Sequence, residues 1–244
     1  MLRFKNTTVS YGKTEILKNI SFSLKQGKFT ALIGKNGSGK STLLSAAAGL
    51  LSFDGEIFLK GRPLKGYSSK ELAQLRALLP QLLPNASLTV ERLAAMGRTP
   101  YLDLTGRLKA EDREQVETAM EQTDVLRLRD RFLSELSGGE RQRAYLAMVL
   151  AQNAELLLLD EPTAFMDVEV TRSFLKLLRR LQKEQHKTVL TVFHDLNAAM
   201  DYADELLLLE NGRLCFSGSA EACRQSGLVE EVFGVTRKTR EIYQ

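Results

Sequence analysis

The segment Gly34-Lys35-Asn36-Gly37-Ser38-Gly39-Lys40-Ser41 constrains this chain more than any other. A short apolar run, Phe29 to Ile33, leads into it, and a second apolar stretch, Ser41 to Leu51, follows it. Strand, glycine-rich loop and helix is the context in which this spacing folds into a phosphate cradle. The glycines let successive backbone N–H groups turn toward phosphate oxygens. The helix that begins near Ser41 adds the positive end of its dipole. Gly34, Asn36, Gly37, Ser38, Gly39 and Lys40 are therefore candidate phosphate contacts. Lys40 is expected to reach the β- and γ-phosphates of ATP, and the Ser41 hydroxyl to ligate Mg²⁺, with Thr42 beside it.

Further along, Leu156 to Leu159 reads as a buried strand that ends in two adjacent carboxylates, Asp160 and Glu161. Ligand sites in open parallel sheets lie at the carboxyl ends of the strands. Asp160 is placed to hold Mg²⁺, and Glu161 to orient or deprotonate an attacking water. A third run, Thr188 to Phe193, ends in His194, which the same edge would present to the γ-phosphate and the water. The other histidine, His186, reads as structural. Leu136-Ser137-Gly138-Gly139-Glu140 opens a helix as a Ser-x-x-Glu capping box. The same two glycines and serine also make an anion site at a helix N-terminus. Since the chain already has one phosphate loop, Ser137, Gly138 and Gly139 make most sense as contacts to another molecule's nucleotide.

Strands alternate with helices along most of the chain, which implies an α/β fold with a mostly parallel sheet. Residues 1–30 read as alternating strands with turns at Tyr11-Gly12 and Gln26-Gly27, and Phe53 to Leu59 as another strand. Helices are expected over 68–78, Val90 to Met96, 107–131, Gly139 to Ala151 and Glu169 to Gln185, with helical pieces after Glu221. The stretch of roughly 85–137 breaks the alternation and reads as an inserted helical subdomain within a single domain, 1–244. No apolar run approaches the ~20 residues that span a bilayer, and the first ten residues have no signal-peptide core. A cytosolic chain is expected unless a partner holds it at a membrane. Cys215 and Cys223 form neither a zinc spacing nor a disulfide framework. A net charge of +4 suits phosphates or an anionic membrane surface and is too dispersed to indicate nucleic acid.

The ordered set of segments resembles the ATPase subunit of ABC transporters over nearly the whole chain. That resemblance implies a P-loop NTPase core with an N-terminal antiparallel β part and the inserted helical subdomain. It implies a head-to-tail dimer with a second copy, each ATP lying between one chain's phosphate loop and the other's Ser137-Gly138-Gly139. Tyr11 matches the aromatic that stacks on adenine. Gln81 matches the glutamine that senses Mg²⁺ and the attacking water, and Asp167 the aspartate that crosses the dimer interface. The chain departs from the family at Glu140, where glutamine is commoner, and at Phe165-Met166, where leucine is usual before Asp167. Met96 to Tyr101, His194 to Ala199 and Val232 to Val235 are similar to importers of ferric siderophores, haem and cobalamin. The implied partners are an integral membrane permease and, indirectly, a substrate-binding protein. The implied location is peripheral, on the cytoplasmic face of the cell membrane.

A cytoplasmic helix of the permease is expected in a groove lined by residues from about 82 to 101, with Leu82, Leu83, Leu88 and Leu93 as anchors and Arg98 at the rim. The alternative reading is a soluble ABC-type ATPase of a non-transport assembly, such as iron–sulfur cluster biogenesis. A scaffold that binds nucleotide without hydrolysing it would need neither Glu161 nor His194.

Overall fold

A computed structural model describes residues 1–84, 86–103, 106–164 and 166–234. Phe165, Val235 and position 85, where the helical insertion is expected to begin, lie outside these residues. In chain order the elements are β1 (Leu2–Tyr11), β2 (Thr14–Leu24), β3 (Phe29–Ile33), α1 (Lys40–Ala47), β4 (Asp54–Leu59), β5 (Arg62–Pro63), α2 (Ser69–Leu75), β6 (Arg76–Leu79), α3 (Val90–Met96), α4 (Ala110–Gln122), α5 (Gly138–Ala151), β7 (Leu156–Leu159), α6 (Val168–Glu184), β8 (Thr188–Val192), α7 (Leu196–Tyr202), β9 (Glu205–Glu210), β10 (Arg213–Ser219), α8 (Ala220–Ser226) and α9 (Leu228–Phe233). They form two compact units, one made of Met1–Gly66 with the chain from Leu190 onward, the other of Tyr67–Val189.

The first unit holds an antiparallel sheet in the order β2-β1-β4-β5. Alternation buries Leu2 and Phe4, an irregularity at Asn6 (φ 48°) shifts the period, and Thr7 and Val9 are buried after it; the rings of Phe4 and Phe22 stack with centroids 4.7 Å apart. A second sheet in the same unit pairs β3 with β9 in parallel and β9 with β10 antiparallel. Every residue of β3 is buried, as an apolar strand covered on both faces requires. The hairpin β9–β10 and the helix α7 are not anticipated by the sequence reading. Asn211-Gly212 between two apolar runs is a strong hairpin signal.

In the second unit β6 and β7 pair in parallel, Arg76 with Leu156 through Leu79 with Leu159. This corrects the expected helix over 68–78. The helix stops at Leu75, and Arg76 takes extended angles, φ −135° and ψ 142°. Burying Ala77 and Leu79 on a strand beside β7 outweighs the helical pattern. The helix expected over 107–131 is likewise shorter. It ends at Gln122, and Asp124 adopts a left-handed φ of 55° that no helix continues through. The amphipathic helix α6 buries Phe174, Leu175, Leu178 and Leu181 along one face, as its 3.6-residue period dictates.

Two expected docking residues belong to this unit's interior. Leu93 is buried, and Arg98 is only 7 % exposed. Arg98 Nε donates to Asp112 Oδ1 at 2.9 Å, and its Nη1 donates to the Ala151 carbonyl at 2.9 Å. Its guanidinium lies 3.8 Å from the Tyr101 ring centroid. Arg98 is thus the polar centre of a packed cluster joining α3, α4 and α5, and not a rim residue. Burial pushes the Asp112 carboxyl up, but the Lys109 amide and the Arg98 guanidinium outweigh it and hold the carboxyl below its ordinary value. Asp112→Ala, which leaves Arg98 buried without its counter-ion, should cost about 3–5 kcal/mol in urea unfolding at neutral pH. A carboxylate held low when folded contributes stability above its unfolded pKa and loses it as pH falls through the folded one. The gap between wild type and variant should therefore narrow in acid.

Candidate functional site

The first unit carries the phosphate loop. It leaves β3 at Gly34 and enters α1 at Lys40. Helices α2, α3, α5, α6, α7 and α8 are each capped by a Ser, Thr or Asp side chain. Helix α1 is not: Gly39 precedes it, no side chain caps it, and its first turn holds no acidic residue. Its N-terminal N–H groups and dipole end are left for an anion. Lys40 Nζ donates to the carbonyls of Gly34 and Lys35 at 2.8 and 3.0 Å, so the loop wraps its own lysine. Ser38 Oγ is buried and makes no hydrogen bond among the described residues. A Cβ at Gly37 would meet open space, whereas one at Gly34 would fall 2.1 Å from the Leu209 carbonyl oxygen.

The turn of β9–β10 buttresses this loop, a feature the sequence reading misses although Asn211-Gly212 signals it. The Gly212 N–H donates to the Ser38 carbonyl at 3.1 Å, and the Gly212 carbonyl accepts from the Lys18 N–H at 2.8 Å. Gly212 has φ 77°, and a Cβ there would lie 2.1 Å from the Ile16 carbonyl oxygen. His194 comes to the same end of β3, because the preceding residue, Phe193, donates its N–H to the Leu32 carbonyl at 3.1 Å. The His194 side chain is exposed. Tyr11 ends β1 and is 54 % exposed, so its ring face is available for stacking.

The second unit carries the carboxylates. The ladder from Leu79 to Leu159 and the Asp160 N–H, which donates to the Leu79 carbonyl at 2.9 Å, set β6 and β7 in register. Gln81 and Glu161 each follow the ladder by two residues, and Gln81 Nε2 donates to Glu161 Oε2 at 2.9 Å. Asp160 is buried beside them in sequence. Glu161 has φ 47° and precedes Pro162. A left-handed residue with a Cβ costs about 1–2 kcal/mol, and proline restricts it further. Strain of this kind is concentrated where chemistry fixes a side chain.

Helix α5 starts with the expected capping box. Glu140 N–H donates to Ser137 Oγ at 3.3 Å, and Ser137 N–H donates to Glu140 Oε2 at 3.0 Å. Asp167 caps α6, its Oδ1 accepting from the Val170 N–H at 2.8 Å. A Cβ on Gly139 would lie 3.5 Å from the Val170 side chain, so the starts of α5 and α6 are neighbours. The Ser137 amide and hydroxyl hold the Glu140 carboxyl below its ordinary value.

Residues 17–164 match the family model described as ABC transporter. The chain is 39 % identical over 236 residues to the ferric enterobactin transport ATP-binding protein FepC of Escherichia coli K12, covering 96 % of this chain and 87 % of that one. It is 40 % identical over 230 residues to the iron(3+)-hydroxamate import ATP-binding protein FhuC of Bacillus subtilis 168, covering 93 % and 85 %. Among solved structures it superposes on the dimeric ATP-binding cassette MJ0796 bound to ADP and Pi in a post-hydrolysis state. The TM-score is 0.79, the identity 27 %, and the match covers 90 % of this chain and 99 % of that one.

Ser137→Ala should lower stability by about 1 kcal/mol through loss of the cap. An NMR titration of the variant should show the Glu140 pKa rising back toward its ordinary value. The cap's charge-dependent part is complete above the unfolded carboxylate pKa and disappears as pH falls through the lowered folded one. The stability gap between wild type and variant should therefore narrow at acid pH, leaving the share owed to the Glu140 N–H bond to Ser137 Oγ.

Proposed function

We propose a function from one premise: this chain belongs to the ABC transporter family, as one of its ATP-binding, ATP-hydrolysing subunits. It powers import of an iron chelate of the siderophore kind through an integral membrane permease. The observation that carries the catalytic part is the Gln81–Glu161 pair, held by the β6–β7 register in a chain whose phosphate loop is complete. The cargo class is supported by near full-length similarity to FepC and FhuC, which favours transport over cluster assembly.

In this reading the backbone of Gly34 to Lys40 binds the phosphates, Lys40 and His194 contact the γ-phosphate, and Tyr11 stacks on the adenine. Glu161 orients the attacking water and accepts its proton, a task suited to a carboxylate whose backbone angles are locked. Ser137, Gly138, Gly139 and Asp167 serve the nucleotide of a second copy in a head-to-tail dimer. In this reading Ser41, Gln81 and Asp160 would hold a Mg²⁺ ion, their hydroxyl, amide and carboxylate oxygens being of the kind it takes. With its nitrogen committed to Glu161, Gln81 has its amide oxygen left to meet a cation. When bound, the metal neutralises charge on the β- and γ-phosphate oxygens. No described helix is long and apolar enough to cross a membrane, so coupling runs through a surface. Leu82, next to Gln81 in the sequence, is 82 % exposed, and Met96 and Phe132 in the same unit are about half exposed, which supplies apolar area for the permease. In this reading the stretch of about 85–137 is a helical subdomain within one ATPase domain, and it carries Met96 and Phe132. In this reading the subunit works on the cytoplasmic face of the membrane, and a substrate-binding protein supplies the permease.

Glu161→Gln should retain ATP binding yet slow hydrolysis by about 10²–10⁴-fold. Turnover near that of wild type would reject Glu161 as the base. The composite site has its own test: Lys40→Ala and Ser137→Arg chains, each nearly inactive, should regain some hydrolysis when mixed. A head-to-tail dimer of the two then has one site with both lesions and one with neither. Absence of recovery, together with failure of engineered cysteines at Ser38 and Ser137 to crosslink between chains, would exclude the shared site.

A further inference from the structure

The four residues Gln81-Leu82-Leu83-Pro84 leave the β6–β7 ladder without strand pairing of their own. Two side-chain hydrogen bonds bracket them. At one end Gln81 donates to Glu161. At the other, the Tyr145 hydroxyl donates to the Pro84 carbonyl. Beyond Pro84 the chain is bound again by its backbone. The Leu133 N–H donates to the Leu88 carbonyl, the Val90 N–H to the Arg131 carbonyl and the Glu91 N–H to the Arg129 carbonyl, each at 3.0 Å.

Tyr145 lies in the middle of α5, among Ala144, Leu146 and Ala147, and is 5 % exposed. A phenylalanine would fill this space equally well. A buried hydroxyl without a partner is costly, so its presence is justified by the bond it makes. Burial also pushes the Tyr145 phenol pKa up, which keeps the group a donor. Pro84 has a carbonyl to offer and no N–H that could join a strand or helix instead. The bond joins the loop that carries Gln81 to the helix that Ser137 opens, roughly 12 Å further along at 1.5 Å per residue.

We propose that Tyr145 is a positioning residue for the reaction: through Pro84 it holds the Gln81 loop so that the Gln81 side chain stays against Glu161. In this role Tyr145 acts only through Gln81. The inference rests on the reading of Gln81 and Glu161 given under Proposed function.

Tyr145→Phe in the full chain removes one oxygen and keeps the ring. Amide hydrogen exchange, ATPase kinetics with Mg²⁺ and thermal unfolding should be measured for it alone and in a Gln81→Ala background. Exchange over residues 82–88 should accelerate, and kcat should fall about 2–10-fold, the rate equivalent of one neutral hydrogen bond. KM for ATP should stay within about twofold, because the phosphate loop is untouched. In the Gln81→Ala background the same change should have no further effect on kcat. A residue that only packed the core would lower the melting temperature and leave exchange in this segment no faster than elsewhere. Unchanged exchange over 82–88, or an equal loss of kcat with and without Gln81, would overturn the role of Tyr145 while leaving that of Gln81 standing. Normal turnover in Gln81→Ala alone would instead remove the Gln81 reading, and the inference with it.

Discussion

The parallel ladder between β6 and β7 runs from Arg76–Leu156 to Leu79–Leu159 and then stops. At its end the Asp160 N–H donates to the Leu79 carbonyl at 2.9 Å, and Pro80 follows directly. Both chains leave the sheet together, and the same number of residues later each presents a polar side chain, Gln81 from one and Glu161 from the other. A shift of one residue would move Ala77 and Leu79 of β6 off their buried face in exchange for half-buried Arg76 and Leu78, and would separate the pair. Register along four residues thus fixes the Gln81–Glu161 contact. The cost of desolvating the ladder's polar groups is met because each is bonded to its neighbour.

The phosphate loop is positioned by a different device. Within it the Ser38 N–H donates to the Lys35 carbonyl at 3.1 Å. The rest of the hold on the loop comes through its carbonyls. Lys40 takes those of Gly34 and Lys35, and the Gly212 amide takes that of Ser38. The absence of a capping side chain on α1, in a chain that caps six other helices, leaves the helix N-terminus for an anion. A serine or aspartate there would occupy the position that phosphate needs.

Much of this was legible in the sequence because it is local. The phosphate loop, the capping box at Ser137 and the apolar run before Asp160 each announce themselves within a few residues. The Gln81–Glu161 contact was not, since it depends on β6, whose four residues read as the end of a helix until β7 is placed beside them. Arg98 misled for a related reason. A lone arginine after an exposed methionine reads as surface, and its counter-ion Asp112 and acceptor Ala151 lie 14 and 53 residues away. Gly212 and Tyr145 act through backbone carbonyls, and a carbonyl has no letter in the sequence. Only the Asn211-Gly212 turn gave a hint, and it pointed to a hairpin without saying what the hairpin touches.

The left-handed backbone of Glu161 sets two kinds of selection against each other. Glycine or asparagine tolerates φ 47° better than glutamate does. A library sorted only for heat resistance should therefore enrich Glu161→Gly and Glu161→Asn. Under the proposed role of Glu161 as the base, a library sorted for ATP hydrolysis should discard both. The residue that makes the fold locally less comfortable is then the one that activity retains, and a consensus built from folding pressure alone would erase it.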